Sequence, residues 1–127
     1  MIQKTIVATP NAPEAIGPYS QAVKAGDTVY LSGQIPLVPG TMELITGDIR
    51  LQTKQVFNNL SAVANAAGGN LDNAVKINIS LTDLNDFTAV NEIMATFFKE
   101  PYPARACVQV AALPKGADIE VEAILAL

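Results

Sequence analysis

The chain has only two arginines, and Arg105 stands at the start of an apolar segment that has the pattern of a strand. A guanidinium at the edge of an apolar sheet costs desolvation free energy unless an anion meets it, and its planar fork of donors suits a carboxylate. The residue types leave two alternatives: Arg105 binds a carboxylate ligand, or it forms an internal ion pair with Glu120 or Glu122. Arg50, in the first turn of a predicted helix, is interpreted as a solvated surface residue.

The two glutamates lie in a strand-like segment where acidic residues are disfavoured by propensity. Alternation puts Glu120 and Glu122 on one face of their strand, and Arg105 and Cys107 on one face of theirs. If the two strands pair as a hairpin across the turn at 114–116, Arg105, Cys107 and one glutamate converge. The glutamates then indicate either a solvated sheet face or a carboxylate that transfers a proton or orients a water.

Missing residue types restrict the chemistry. The chain has no histidine, which excludes histidine-based triads, histidine-ligated zinc and imidazole acid–base catalysis. Cys107 is the only cysteine, so there is no intramolecular disulfide and no multi-thiolate metal site. We interpret Cys107 as a wall residue that offers its thiol or backbone to a ligand. We expect no metal and no cofactor.

Two further residues could face a ligand. Tyr19 follows a proline-restrained turn and either presents its hydroxyl to a cleft or anchors the chain as an aromatic. Gly33 ends a predicted strand, where the lack of a side chain lets the backbone approach a ligand closely.

Composition bounds the class of protein. With 127 residues the chain has the size of one domain, 1–127, and its net charge of -4 argues against a nucleic-acid groove or an anionic membrane surface. Half of the residues are hydrophobic, 16% are charged and the mean hydropathy is +0.27. So small a domain cannot hide that apolar content alone, which favours an oligomer. No apolar run reaches 18 residues and the N-terminus has no signal-like segment, so we expect a cytoplasmic protein.

Two helices are predicted to cover these strands. The first begins after Asp48, a typical N-cap, and runs to about Ala67, where Gly68 and Gly69 stop it. The second begins near Asp86 and ends near residue 99, before a proline. Both carry apolar stripes at helical spacing, as helices packed on a core do.

The remaining segments alternate with period 2, and the clearest places Val75, Ile77, Ile79 and Leu81 on one face. The predicted order of elements is β, β, β, α, β, α, β, β. It indicates an α+β fold, a sheet with two helices on one face. The opposite face has no partner within the chain, which makes it the natural subunit contact.

These segments together resemble the Rid/YjgF family of reactive-intermediate (enamine/imine) deaminases over essentially the whole chain. The matching pieces are Ala15–Ala22 (AIGPYSQA), Leu31–Pro36 (LSGQIP), Leu81–Phe87 (LTDLNDF) followed by Val90 and Asn91, Tyr102–Val108 (YPARACV), Leu113–Lys115 (LPK) and Ile119–Ile124 (IEVEAI).

The resemblance implies a chorismate-mutase-like mixed sheet and a homotrimer with a central barrel and ligand clefts between subunits. It implies that Arg105 holds the substrate carboxylate and that Glu120 positions water or transfers a proton. It also places Tyr19, Gly33, Asn91 and Cys107 along the cleft.

The implied activity is hydrolytic deamination of short 2-enamino or 2-imino acids, such as 2-aminoacrylate and 2-aminocrotonate, to 2-oxo acids and ammonia. Two other functions stay open: a carboxylate-binding regulatory module without turnover, and a chaperone-like interaction protein. Three departures from the family pattern stand out: a short stretch from Phe98 to Tyr102, Ala112 in place of an arginine, and no basic tail after Leu127. The first is expected to reshape one rim of the cleft.

Overall fold

Both predicted helices are present in the computed structural model, which describes residues 1–127. Helix α1 spans Ile49–Ala66, and the Asp48 carboxylate accepts a hydrogen bond from the N–H of Arg50 at 2.8 Å, so it caps the helix. The helix stops before Gly68, whose φ of 95° lies in the left-handed region that glycine enters without strain. Helix α2 spans Phe87–Phe97. The sequence placed the ends of α1 correctly and those of α2 within two residues.

Six strands form one mixed sheet in the order β1-β2-β3-β6-β4-β5, and the only parallel pair is β4 with β5. The strands are β1 (Lys4–Val7), β2 (Ala22–Ala25), β3 (Thr28–Gln34), β4 (Ala74–Leu81), β5 (Ala104–Gln109) and β6 (Ile119–Ala126). Six strands and two helices in this order confirm the predicted α+β fold.

The predicted hairpin between β5 and β6 is wrong. Strand β4 lies between them, pairing in parallel with β5 and antiparallel with β6. The turn that precedes β6 instead carries the chain past β4, and Lys115 in that turn has a φ of 59°.

One residue of β4 also departs from the predicted alternation. The pairing with β6 shifts between Ala74 and Lys76, so Val75 is the extra residue of a β-bulge and is 49% exposed. Ile77, Ile79 and Leu81 point into the core as predicted.

Both helices pack on one face of the sheet. Buried side chains of α1 and α2, such as Phe57, Leu60 and Val90, form a single core with the inward residues of β6 and β4. The other face is open and carries an apolar row across four strands, in which Ile6 faces Val23, Val23 faces Tyr30 and Tyr30 faces Ile124. No helix has both the length and the apolar composition that crossing a membrane requires.

Candidate active site

Arg105 lies on the helix-covered face, at the edge of the sheet. It pairs in register with Ile77 of β4, so both side chains point to the side of α2. One guanidinium nitrogen donates to the Oδ1 of Asn91, and the guanidinium carbon lies 5.0 Å from the centre of the Phe87 ring. Both contacts orient the guanidinium and leave most of its five N–H donors free.

The alternative of an internal ion pair at Arg105 is wrong. The salt bridges of the chain are Arg50 with Glu92 at 2.6 Å and Lys99 with Asp72 at 3.9 Å, and Arg105 takes part in neither. Arg50 is exposed as expected, although it pairs with a glutamate of α2. The guanidinium of Arg105 therefore has no anionic partner inside the chain.

Cys107 lies two residues along β5 on the same face as Arg105. With Leu84, Phe87 and Arg105 it lines a shallow cavity of about 470 Å³, which we call the arginine cleft. Burial raises the pKa of the Cys107 thiol, and the nearby Arg105 offsets this only in part. The thiol is therefore protonated at neutral pH, which fits a wall residue rather than a nucleophile.

Glu120 lies on the open face of the sheet. It pairs in register with Ser80 of β4, while its neighbours Ile119 and Val121 point into the core. Burial raises the pKa of the Glu120 carboxyl, and the negative charge of Glu122 raises it further. A carboxyl with a raised pKa exchanges protons more readily near neutral pH than an ordinary surface glutamate does.

Gly33 provides the space that the Glu120 carboxyl occupies. The pairing of β3 with β6 shifts between Leu31 and Gln34, so a bulge holds the backbone of Gly33 against Glu120. A Cβ added at Gly33 would lie 2.8 Å from both the Cδ and the Oε1 of Glu120. The glycine is favoured here by the close approach of the Glu120 side chain and not by its backbone angles.

Tyr19 and Gly33 share a cavity of about 490 Å³ with Glu120, and we call it the carboxylate cavity. The Tyr19 hydroxyl accepts a hydrogen bond from the N–H of Ile16 at 3.4 Å, and half of the residue is exposed. Lys115 brings a positive charge to the same cavity. This lysine was not singled out from the sequence, although its turn was.

A buried glutamine that the sequence did not reveal holds the segment leading to Tyr19. Gln21 is 5% exposed, and its Oε1 accepts from the N–H of Thr9 at 2.6 Å. Its Nε2 donates to the carbonyls of Thr9 and Pro13 at 3.0 and 2.8 Å. The only sequence signal was a polar residue directly before the first apolar position of β2.

The predicted site residues therefore form two groups on opposite faces of the sheet. Arg105, Asn91 and Cys107 lie on the helix-covered face, whereas Tyr19, Gly33 and Glu120 surround the carboxylate cavity on the open face; these six are the residues expected at the site. The expected convergence of Arg105, Cys107 and a glutamate within one chain is wrong. Strand β4 lies between β5 and β6, and the register aligns Arg105 with Ile77 and Ala123, whereas the glutamates are the alternate residues of β6 and point to the opposite face.

The mixed sheet with two helices on one face and cavities on both defines a small α+β protein, and comparison with known proteins gives its family. Residues 9–127 match the family model described as Endoribonuclease L-PSP. The 2-iminobutanoate/2-iminopropanoate deaminase of Dermatophagoides farinae is 50% identical over 127 residues, which cover 100% of this chain and 99% of the relative. The chain thus belongs to the Rid/YjgF family, as the sequence segments indicated.

Solved structures of the family superpose closely on this fold. RidA from an Antarctic Psychrobacter is 54% identical with a TM-score of 0.94, covering 97% of this chain and 99% of its own. TdcF of E. coli, solved with bound serine, is 44% identical with a TM-score of 0.92, covering 97% of this chain and 98% of its own.

The contact between Gly33 and Glu120 yields a structural prediction. Gly33→Ala is expected to fold with a free energy of unfolding within about 1 kcal/mol of the parent, because a flexible carboxyl can move aside. The new methyl group is expected to displace that carboxyl from its place over β3, as seen in a crystal structure of the variant.

Gly17→Ala is the matched control, since its added Cβ meets nothing closer than the Tyr19 ring at 3.8 Å. A Gly33→Ala protein in which Glu120 keeps its position would show that the close approach is not restrictive.

Proposed function

We propose that the protein hydrolyses short 2-imino acids, the tautomers of 2-enamino acids such as 2-aminoacrylate and 2-aminocrotonate, to 2-oxo acids and ammonia. The observation that carries the proposal is a pair of complementary groups, each facing a cavity. A guanidinium without an anionic partner lines the arginine cleft, and a carboxyl with a raised pKa lines the carboxylate cavity.

In this reaction Arg105 holds the substrate carboxylate through two parallel hydrogen bonds, and so orients the adjacent imine carbon. The Glu120 carboxylate accepts a proton from a water whose oxygen forms a bond to that carbon. As the carbon–oxygen bond forms, the π electron pair of the C=N bond moves to the nitrogen, which takes up this proton and becomes the amino group of a carbinolamine. A second proton then passes from the carbinolamine hydroxyl to that nitrogen by way of Glu120, the C=O double bond of the 2-oxo acid forms, and the carbon–nitrogen bond breaks with its electron pair on nitrogen, so that ammonia leaves. A general acid–base group of this kind contributes about 10²–10⁴-fold in rate.

Because Arg105 and Glu120 lie on opposite faces of one chain, the complete site needs two copies. We propose a homotrimer in which the arginine cleft of one subunit meets the carboxylate cavity of the next, with the sheets forming a central barrel. The apolar row on the open face supports an assembly that covers this face. Closed rotational symmetry then repeats the same cleft between each pair of neighbours.

The relatives support the reaction type. The chain is an enzyme of the 2-iminobutanoate/2-iminopropanoate deaminase type, given 50% identity to a relative of that name along its full length. Serine, which TdcF holds in its structure, carries a carboxylate of the kind that Arg105 would bind. A cytoplasmic location remains a prediction.

The family description also names an endoribonuclease, and the composition of this chain favours the deaminase instead. The net charge is -4 and the eight basic residues are spread along the sequence. RNA binding relies on clustered positive charge, and histidine, the common acid–base residue near neutral pH, is absent from the chain.

The proposed role of Arg105 as the clamp that holds the substrate carboxylate is tested by substitution at this position. Arg105→Ala is expected to lower kcat/KM for 2-aminoacrylate, generated in the assay, by about 10²-fold or more, because each charge-assisted hydrogen bond is worth about 1.5–3 kcal/mol. Arg105→Lys keeps the positive charge but lacks the two parallel N–H donors of the guanidinium. It is therefore expected to recover only part of the loss.

Melting temperatures measured on the same samples separate lost catalysis from lost folding. A folded Arg105→Ala protein that deaminates at the parent rate would contradict the clamp. Binding of a 2-oxo acid by the parent without any release of ammonia would indicate a regulatory module instead.

The shared site is tested by mixing two inactive variants. Arg105→Ala and Glu120→Gln subunits, co-expressed in equal amounts with different tags, are expected to regain about a quarter of the parent activity. In a random mixture, one cleft in four takes its arginine from a Glu120→Gln subunit and its glutamate from an Arg105→Ala subunit. Mixed oligomers no more active than the separate variants would contradict a site between copies.

The role of Glu120 predicts a pH dependence. If its ionised form accepts the proton from water, kcat/KM falls as the pH falls through the raised pKa of Glu120. Burial is the main cause of the raised pKa and the Glu122 charge is the second, so Glu122→Gln lowers this pKa in part. The acid limb of the profile of kcat/KM is then expected to move to lower pH.

Glu14→Gln serves as the control, because Glu14 lines the same cavity but is not among the groups that raise the pKa of Glu120. An acid limb that stays in place in Glu122→Gln, or moves to higher pH, would show that Glu120 does not control the profile.

A further inference from the structure

Lys115 stands at the carboxylate cavity without an ionic partner. Three glutamates line this cavity, Glu14, Glu120 and Glu122, and Lys115 is the one positively charged residue of the lining. The two salt bridges of the chain involve neither this lysine nor any of these glutamates. Negative charge therefore dominates the cavity, and the ammonium group of Lys115 is free to meet an anion.

The backbone at Lys115 is strained in a way that a glycine would avoid. Its φ of 59° lies in the left-handed region, where a Cβ crowds the following carbonyl oxygen, and the next residue, Gly116, has a φ of 73°. Glycine adopts such angles without that crowding. The turn alone would therefore favour glycine at both positions, and a lysine that destabilises it points to a role for the lysine side chain.

The turn that carries Lys115 is fixed by a small hydrophobic cluster outside the main core. Ala117, 2% exposed, packs with the buried side chains of Ile35 and Leu37. The Nδ2 of Asn59, a buried residue of α1, donates to the carbonyl of Leu37 at 2.9 Å and so ties this cluster to the helix. The backbone of Lys115 is thus held in place beside the cavity, while its side chain remains exposed.

We propose that Lys115 guides the anionic substrate into the carboxylate cavity, because its positive charge offsets the repulsion of the three glutamates. This inference rests on the proposed function, in which the substrate is a 2-imino acid that carries a carboxylate and reacts beside Glu120. Fixed charges that line a cleft change the local concentration and the arrival rate of charged ligands by about 10–10³-fold. Lys115 then acts on the capture of the substrate, and Arg105 on its orientation.

The test removes the charge of Lys115 and varies the salt concentration. At low ionic strength, Lys115→Gln is expected to lower kcat/KM for 2-aminoacrylate about tenfold and to leave kcat nearly unchanged, since the charge acts before the chemical step. Raising the salt from about 0.01 M to about 1 M shortens the screening length from about 30 Å to about 3 Å. The parent and the variant are then expected to differ by less than about twofold.

Binding of 2-oxobutanoate gives the same comparison without an enzyme that generates the substrate. This 2-oxo acid is the product expected from 2-aminocrotonate, and it carries the same carboxylate. Calorimetry is expected to show about tenfold weaker binding to Lys115→Gln than to the parent at low salt, and nearly equal binding at high salt.

Lys54→Gln is the matched control, because it makes the same change of charge at an exposed position of α1 that lines neither the carboxylate cavity nor the arginine cleft. It is expected to keep the parent values. Lys115→Arg keeps the charge and is expected to keep most of the activity. Lys115→Gly is expected to lose as much kcat/KM as Lys115→Gln and yet to melt no lower than the parent, because the backbone strain is relieved.

Several results would overturn this inference and leave the proposed function intact. One is a parent that deaminates 2-aminoacrylate no faster than Lys115→Gln does at low salt, and another is a loss in that variant that high salt does not diminish. A Lys115→Gly protein that dissociates into single chains, or melts far below the parent, would assign the lysine to subunit contact or folding instead. A parent that releases no ammonia overturns the proposed function, and the binding of 2-oxobutanoate then still decides whether Lys115 attracts the anion.

Discussion

Strand β6 pairs with β3 on one side and β4 on the other, and the remaining structure depends on this double pairing. Alternate residues of β6, among them Ile119 and Val121, are completely buried beneath α1. A charged residue at any of those positions would carry a large desolvation cost, so the glutamates occupy the alternate positions on the open face. The register with β4 confirms this, because Glu120 faces Ser80 and Glu122 faces Asn78, whose Nδ2 donates to Glu122 at 3.1 Å.

The same pairing keeps the two reactive groups of one chain apart. Had β5 paired directly with β6, Arg105 could have neutralised a glutamate in its own subunit, which would have occupied the clamp and lowered the pKa of the carboxyl. Separation by β4 instead leaves a guanidinium that is held only by a neutral amide and an aromatic ring. Each group therefore remains available to a ligand that carries the complementary charge.

Local patterns in the sequence predicted the helices and strands well, but they did not predict which strands pair when these lie far apart in the sequence. Asp48 and Gly68 marked the ends of α1 because capping depends on a few neighbouring residues. The position of β4 between β5 and β6 joins segments about 40 residues apart, and no local pattern records it. The bulge at Val75 was missed for the same reason, since it depends on how β4 pairs with the distant strand β6.

The family resemblance proposed six residues for the site, and the structure shows how one chain arranges them. Tyr19, Gly33 and Glu120 do share a cavity, and Arg105 does contact Asn91. In the proposed trimer, their division between two faces would give assembly a chemical role in addition to covering apolar surface. A neighbouring subunit that covers the open face removes water from Glu120, which raises the pKa of its carboxyl further. The Arg105 that the same neighbour would bring lowers the pKa of that carboxyl. The contact that completes the site would therefore also determine whether the proposed base is protonated.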